Sequence, residues 1–343
     1  MAKPVEILRE NLAAHPAVMA WSVTVPDRVE PSSIAVIKPW KQNGILGTYK
    51  SGVYRLEGVG PGGTAVIAKR CPRRTARVER LMYEEFLPRV ALSKLAFYGS
   101  VDEPDGESCW LFLEDAVGEG YSPLDPEHRA LAARWLAALH SAGQDLGWKT
   151  RLPDRGPEQH LRMLRSCRAK AREHFTNPSL PSDGAPVLQT VAEQCDLVEA
   201  SWQELEAICQ VVPQTSVHGD FVVKNLRVRH AADGLQLLVF DWEYSGWGAP
   251  GTDLAQFTGH VASPDLAIYQ SSLPDGPMRP DATQVRRLAE CGRLFRVIET
   301  MYWTCLSLVL EPPLCLLRPI SELKIYSERM AQALSQAGWR TAN

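Results

Sequence analysis

The chain has 343 residues, of which 45% are apolar and 22% charged, and its formal net charge is −3. That length is too great for one small core and suits two lobes, and the apolar share excludes a disordered or fibrous chain. A charge so near balance provides no global field for nucleic acid, so no nucleic-acid partner is expected.

In chain order, "KPVEILRENLAAH" has helical spacing at Val5, Leu8 and Leu12. It contains no apolar stretch suited to a secretory signal. From Ser33 to Cys71 short β-rich pieces alternate with glycine, and "GPGG" between two of them is a hairpin signal. This region reads as an antiparallel sheet. A helix follows in "RTARVERLMYEEFLPRV", then two strand candidates, "LAFYGSV" and "SCWLFLEDA". The basic run from Lys69 to Arg80 reads as a solvated helix face, with a phosphate or anion patch as the alternative.

After Ala116 the pattern is helical. "DPEHRALAARWLAALHSAG" has Asp125 as N-cap and Pro126 at the first helical position. A helical stretch is expected from Glu158 to Phe175, and one long amphipathic helix in "VLQTVAEQCDLVEASWQELEAICQ". Two strand-like pieces follow around Asp220 and Asp241, and the remainder is mostly helical, broken by "SSLPDGPMRPD" and "LEPPLCLLRP". No run is long enough to span a membrane. The eight cysteines form no C-x-x-C pair and read as reduced, mostly buried thiols. A soluble cytoplasmic protein with no membrane partner is the expectation; the sequence leaves oligomeric state open.

The chemistry concentrates in "SVHGDFVVKNLRV" and "LLVFDWE". Asp220 and Asn225 stand five residues apart, and Asp241 ends the next apolar run. Two strands paired as a hairpin would put Asn225 and Asp241 on the same side. A carboxylate with a carboxamide oxygen suits Mg²⁺, a hard cation. Asp220 is then left to accept a proton from an attacking hydroxyl. Taken singly, these are also common turn residues.

A phosphoryl-transfer site would demand more of the first lobe: glycines between two strands, a lysine on the third strand and a helix glutamate to pair with it. "NGILGTYKSGVYRL" supplies Gly44, Gly47 and Gly52; "TAVIAKR" supplies Lys69; Glu79 follows ten residues later in a helix. "WLFLEDA", with Leu113 and Glu114, would be the edge strand whose backbone reads the adenine. All the demands are met in order.

On these residues the chain resembles the aminoglycoside phosphotransferase and choline kinase-like family, a branch of the protein-kinase-like fold, from about Val36 to Leu310. The resemblance is carried by His218-Gly219-Asp220 with Asn225, by Asp241-Trp242-Glu243, by "GAPGTDLAQF" with Asp253, and by "LAALHSAG" with His140. It implies an α+β, bilobal fold: a small β-rich N-lobe over residues 1–113 and a larger, mainly helical C-lobe over 114–343. The implied enzyme is a small-molecule kinase using ATP, or GTP, with Mg²⁺ to phosphorylate a hydroxyl acceptor. Asp220 is the expected base, with His218 holding its loop. Lys69, Glu79, Gly47, Gly52, Leu113 and Glu114 are expected at the nucleotide, and Asn225, Asp241 and Glu243 at the metal. Asp253 is expected to organise a loop, His140 to be a packed helix-end histidine, and Phe295, Tyr302 and Trp303 to be core. Trp242 and Trp247 are pocket candidates.

An antibiotic or other hydroxylated natural product fits the acceptor role best, because the acids after Asp253 are too spaced for a polycation. A choline, ethanolamine or sugar kinase is the alternative, and a nucleotide-binding pseudokinase-like module a further one. "HGD" in place of "HRD", without "DFG" or "APE", argues against a protein kinase.

Overall fold

The structure, a computed structural model, describes residues 4–25, 29–42, 49–144, 146–232, 234–276, 279–308 and 313–338. In chain order its elements are β1 (Glu6–Leu8), α1 (Pro16–Thr24), β2 (Ile34–Lys38), β3 (Lys41–Gln42), β4 (Tyr49–Lys50), β5 (Gly52–Leu56), β6 (Val66–Pro72), α2 (Arg73–Arg80), β7 (Phe97–Asp102), β8 (Ser108–Glu114) and β9 (Glu119–Gly120). Then come α3 (Pro126–Ala142), α4 (Pro157–Glu173), α5 (Gly184–Ala200), α6 (Trp202–Gln210), β10 (Thr215–Val217), β11 (Leu226–Ala231), β12 (Gly234–Val239) and β13 (Gly246–Gly248). Four helices close the chain: α7 (Gly251–Leu254), α8 (Leu266–Ser272), α9 (Ala282–Cys305) and α10 (Leu314–Gln336). The chain forms two compact units, Met1–Tyr121 with Lys224–Tyr244, and Ser122–Val223 with Ser245–Asn343. The expected break at residue 113 divides the chain once, whereas these units are discontinuous, with Lys224–Tyr244 grouped with the β-rich region.

The first unit is built on a sheet of order β1-β2-β5-β6-β8-β7, with each neighbouring pair antiparallel. Its core joins Ile34, Leu56, Val66, Ala68, Trp110 and Phe112 of the sheet to Val18 and Trp21 of α1. The Trp21 and Phe112 rings tilt together at 5.1 Å. β8 is therefore an inner strand, which corrects its expected place at the edge; β7 holds that edge. The signal was in the sequence: Cys109 to Leu113 are all apolar without alternation, and all are buried, as a strand covered on both faces requires.

The N-terminal helical expectation is also corrected. Glu6–Leu8 pairs with Ile34–Val36, and the helix begins at Pro16 instead. Pro16 fits the first turn because its missing N–H has no intrahelical partner there, and His15 Nδ1 caps the next donor, Ala17 N, at 3.2 Å. Leu12–Ala14 makes a single 3₁₀ turn, and the sheet provides backbone partners for Glu6–Leu8 that an isolated short helix would lack.

The second unit is mainly helical. Asp125 caps α3 as expected, accepting from the Glu127 and His128 amides. The long helix expected over 187–210 breaks at Ser201, where φ −99° and ψ 12° leave the helix, and α6 sets off anew. The break lets Trp202 reach Phe295 of α9 at 6.0 Å. β10 pairs antiparallel with β13, Ser216 opposite Trp247, and so fixes where the chain leaves toward Asp220. Among the described residues, no helix is long and apolar enough to cross a membrane.

Candidate active site

β6 places Lys69 between Val53 of β5 and Leu111 of β8. Paired on both sides, the strand has little freedom, and its lysine points from a rigid support. Lys69 Nζ donates to Glu79 Oε1 at 2.5 Å, and also to Asp241; Glu243 Oε2 stands 4.0 Å away. The Lys69 side chain is 8% exposed and that of Glu79 fully buried. Burial alone would lower the Lys69 pKa, but Asp241, Glu79 and Glu243 overcome it and hold the ammonium well above the ordinary lysine range. Burial pushes the Glu79 carboxyl up, to about 7, against the pull of Lys69 and with the repulsion of Asp241. Burial and Asp241 push Glu243 up too, against Lys69. One ammonium is shared among three carboxylates.

The hairpin of β11 and β12 brings the metal candidates to one end. Leu226 pairs with Val239, and just beyond them Phe240 N donates to Asn225 O at 3.2 Å. Asp241 has φ 70°, the left-handed region that costs a non-glycine residue about 1 kcal/mol and that Asp tolerates better than most. Carboxylate oxygens of Glu79, Asp241 and Glu243 lie within 4.8 Å of one another. Glu79 Oε2 is buried and has no hydrogen-bond partner among the described residues. Clustered hard oxygen donors, one of them a buried oxygen without a hydrogen-bond partner among the described residues, fit a divalent ion such as Mg²⁺.

These residues border a cavity of 470 Å³ within the first unit, a size that suits a nucleotide-scale ligand. Ile37, Val53, Ile67, Leu95, Leu113 and Phe240 give it an apolar part, and Lys38, Lys69 and Lys224 stand with the acids. Burial lowers the Lys38 pKa, against Asp241 and Glu243, which raise it. Leu113 and Glu114 border the cavity, and Glu114 N donates to Ala96 O at 2.9 Å. Asp115 and Ala116, the next two residues, also line the cavity, and Asp115 O accepts from Val117 N at 2.7 Å. Gly52 opens β5 between two lining residues, Ser51 and Val53. Gly47, like Gly44, lies outside the described residues. Trp242 and Trp247 are 0% and 5% exposed, buried as core, and neither lines this cavity.

In the second unit the loop after β10 is held from below. Gly219 has φ 75°, a turn glycine supports without strain. Asp253, 2% exposed, accepts from His218 N at 2.8 Å and Gly219 N at 2.9 Å. His140 Nε2 reaches the same carboxylate at 3.2 Å, and its Nδ1 meets Tyr269 Oη at 3.0 Å. Burial would raise the Asp253 pKa; the His140 hydrogen bond and the nearby histidines hold it below the usual carboxylate value. His140 is thus more than a packed helix end. His218 Nδ1 accepts from Asp220 N at 3.2 Å.

Sequence reading missed Arg296 of α9, which donates to Asp220 Oδ1 at 2.8 Å and to Gly219 O at 2.7 Å. The available signal was an arginine inside the apolar run "LFRVI", on the half-buried stripe of α9 that also carries Arg293 and Glu299. Phe295 is core as expected, whereas Trp303 is 45% exposed.

A profile of the phosphotransferase enzyme family matches residues 43–277. No curated protein matches the chain by sequence. Among solved structures, the Plasmodium vivax ethanolamine kinase superposes with a TM-score of 0.53 at 15% identity, over 84% of this chain and 80% of that one. The streptomycin–ATP ternary complex of APH(2")-IIa gives 0.54 at 14% identity, over 90% and 96%. A GDP complex of an aminoglycoside 2'-phosphotransferase gives 0.60 at 10% identity, over 93% and 98%. At these identities the likeness establishes the fold, α+β and protein-kinase-like, with a β-sheet N-terminal and a helical C-terminal region. With the family profile matched over more than half its length, the chain belongs to the phosphotransferase enzyme family.

Proposed function

We propose that the protein transfers the γ-phosphoryl group of ATP to a hydroxyl of a small molecule. The observation that carries this reading is the Lys69–Glu79–Asp241 cluster at the end of an apolar cavity. A purine would lie against Ile37, Val53, Ile67 and Leu113, and Lys69 would meet the phosphates. Asn225, Asp241 and Glu243 would hold Mg²⁺. When bound, the ion would supply positive charge to the phosphate oxygens.

Asp220 would orient the acceptor hydroxyl and take its proton. The acceptor oxygen forms a bond to the γ-phosphorus as the bond to the bridging β–γ oxygen breaks, leaving ADP. Such transfers proceed through loose transition states, so positioning and charge provide most of the acceleration. GTP would serve through the same phosphate contacts.

For the acceptor, an uncharged or weakly charged hydroxylated compound, such as an antibiotic or other natural product, is favoured over a polycation. A guanidinium, Arg296, lies against Asp220, and that charge does not favour ammonium groups nearby. Choline, ethanolamine and sugars remain the alternative acceptors. The test is Asp220→Asn with ATP binding and turnover measured together. The reading expects nucleotide binding to persist and turnover to fall by several orders of magnitude; unchanged turnover with the right acceptor removes Asp220 from the role.

A further inference from the structure

Arg296 sits in α9 between two buried apolar residues, and its own side chain is 16% exposed. Its Nη2 donates to Asp220 Oδ1 at 2.8 Å, and its Nη1 to Gly219 O at 2.7 Å. Nη1 also meets Glu299 Oε2 at 3.2 Å, and Glu299 Oε1 meets His160 Nε2 at 3.2 Å. His160 in turn is fixed by Gly156 O at 2.8 Å and by stacking on Phe295 at 4.2 Å. A buried cation left in low dielectric is costly unless it is paired and hydrogen-bonded. Here the pairing goes to the loop of Asp220 on one side and to two helices, α4 and α9, on the other.

We propose that Arg296 is the positioning residue of Asp220, gripping the carbonyl before it and one oxygen of its carboxylate with a single guanidinium. This rests on the phosphoryl-transfer reading above. A planar fork that holds two adjacent oxygens fixes the backbone at Gly219 and the side-chain angle of Asp220 together. A lysine, a point charge on a flexible stem, cannot do both. The grip on the carboxylate is made at Oδ1.

Where the transition state is loose, the aspartate acts chiefly to aim the hydroxyl, which is what a fixed carboxylate provides. Among the described residues, His218 and Asp253 lie beneath the loop, and Glu299 and His160 lie behind the arginine.

The test is a carbon-13 titration of the Asp220 carboxyl, assigned by its loss in Asp220→Asn, in the wild type, Arg296→Gln and Arg296→Lys. It runs alongside kcat and KM for MgATP with an acceptor that turns over. In Arg296→Gln the midpoint rises by about one unit or more, because a carboxylate loses its adjacent cation. There kcat falls on the order of 100-fold while the nucleotide KM stays within about twofold. In Arg296→Lys the midpoint stays near the wild-type value, yet kcat still falls by roughly tenfold, because charge is kept and aim is lost.

An unshifted midpoint in Arg296→Gln, or an undiminished kcat in Arg296→Lys, overturns the proposal. If Arg296→Gln does not fold, the lysine variant decides alone. If no acceptor turns over in the wild type, the phosphoryl-transfer reading fails, while the titration, which needs no acceptor, still decides the grip.

Discussion

Asp253→Asn isolates the carboxylate beneath the catalytic-loop candidate. The aspartate accepts from two backbone amides, His218 N and Gly219 N, and from His140 Nε2. Asparagine is the same size, but one of its two terminal groups is a donor. At least one of these N–H groups then faces an NH₂ and loses a charge-assisted bond in a site from which water is excluded. A hydrogen bond to a charged group contributes about 1.5–3 kcal/mol, and a buried donor left without an acceptor costs a similar amount, so a loss of about 3 kcal/mol is expected. The sign with pH follows from the depressed pKa of Asp253. A carboxylate that ionises more readily in the folded state stabilises it above the unfolded-state value, near 3.9, and that contribution disappears as pH falls through the folded value. Asparagine does not titrate. The stability difference between the two proteins should be full at pH 7 and shrink below about pH 4. Urea unfolding across this range measures it, with amide exchange at His218 and Gly219 reporting the loop directly. A difference under about 0.5 kcal/mol at pH 7, the size of an ordinary surface substitution, with unchanged exchange at both amides, would refute the reasoning.

Two further substitutions test other parts of the account. Lys69→Met should weaken MgATP binding at least about tenfold, removing about 1.4 kcal/mol of nucleotide-induced stabilisation at a fixed excess of ligand. An undiminished melting shift with MgATP would count against the phosphate role of Lys69. Gly292→Ala should destabilise the second unit by more than about 2 kcal/mol, since overpacking forces the backbone apart. A Cβ at that position would lie 1.7 Å from Gly251 O. Thermal unfolding reads the effect, and a neutral outcome would contradict the close approach of α7 and α9.

Much of this arrangement was legible in the sequence, and the failures have physical causes. Asp125 with Pro126, the β11–β12 hairpin and the Lys69–Glu79 pair were readable because each depends on local chemistry or on short spacing. The place of β8 in its sheet was misread because the expectation came from a role and not from the apolar run, which has no exposed face. The break at Ser201 carries no proline or glycine, so helical periodicity runs through it; the packing of Trp202 on Phe295 decides it. Arg296 escaped notice because its partner lies 76 residues away along the chain. The burial of Trp242 and Trp247 was missed for a similar reason: nearness in sequence to Asp241 says nothing of the direction in which a ring packs.

The central claim is that this chain moves a γ-phosphoryl group onto a hydroxyl. The most direct measurement incubates the wild type and Asp220→Asn with MgATP and a panel of hydroxylated antibiotics, amino alcohols and sugars, and detects phosphorylated product by mass spectrometry. The account predicts a phosphate ester of at least one acceptor with the wild type, formed together with ADP, and almost none with the variant. Equal product from both proteins, or no product from any acceptor in a wild type that binds MgATP, would contradict it.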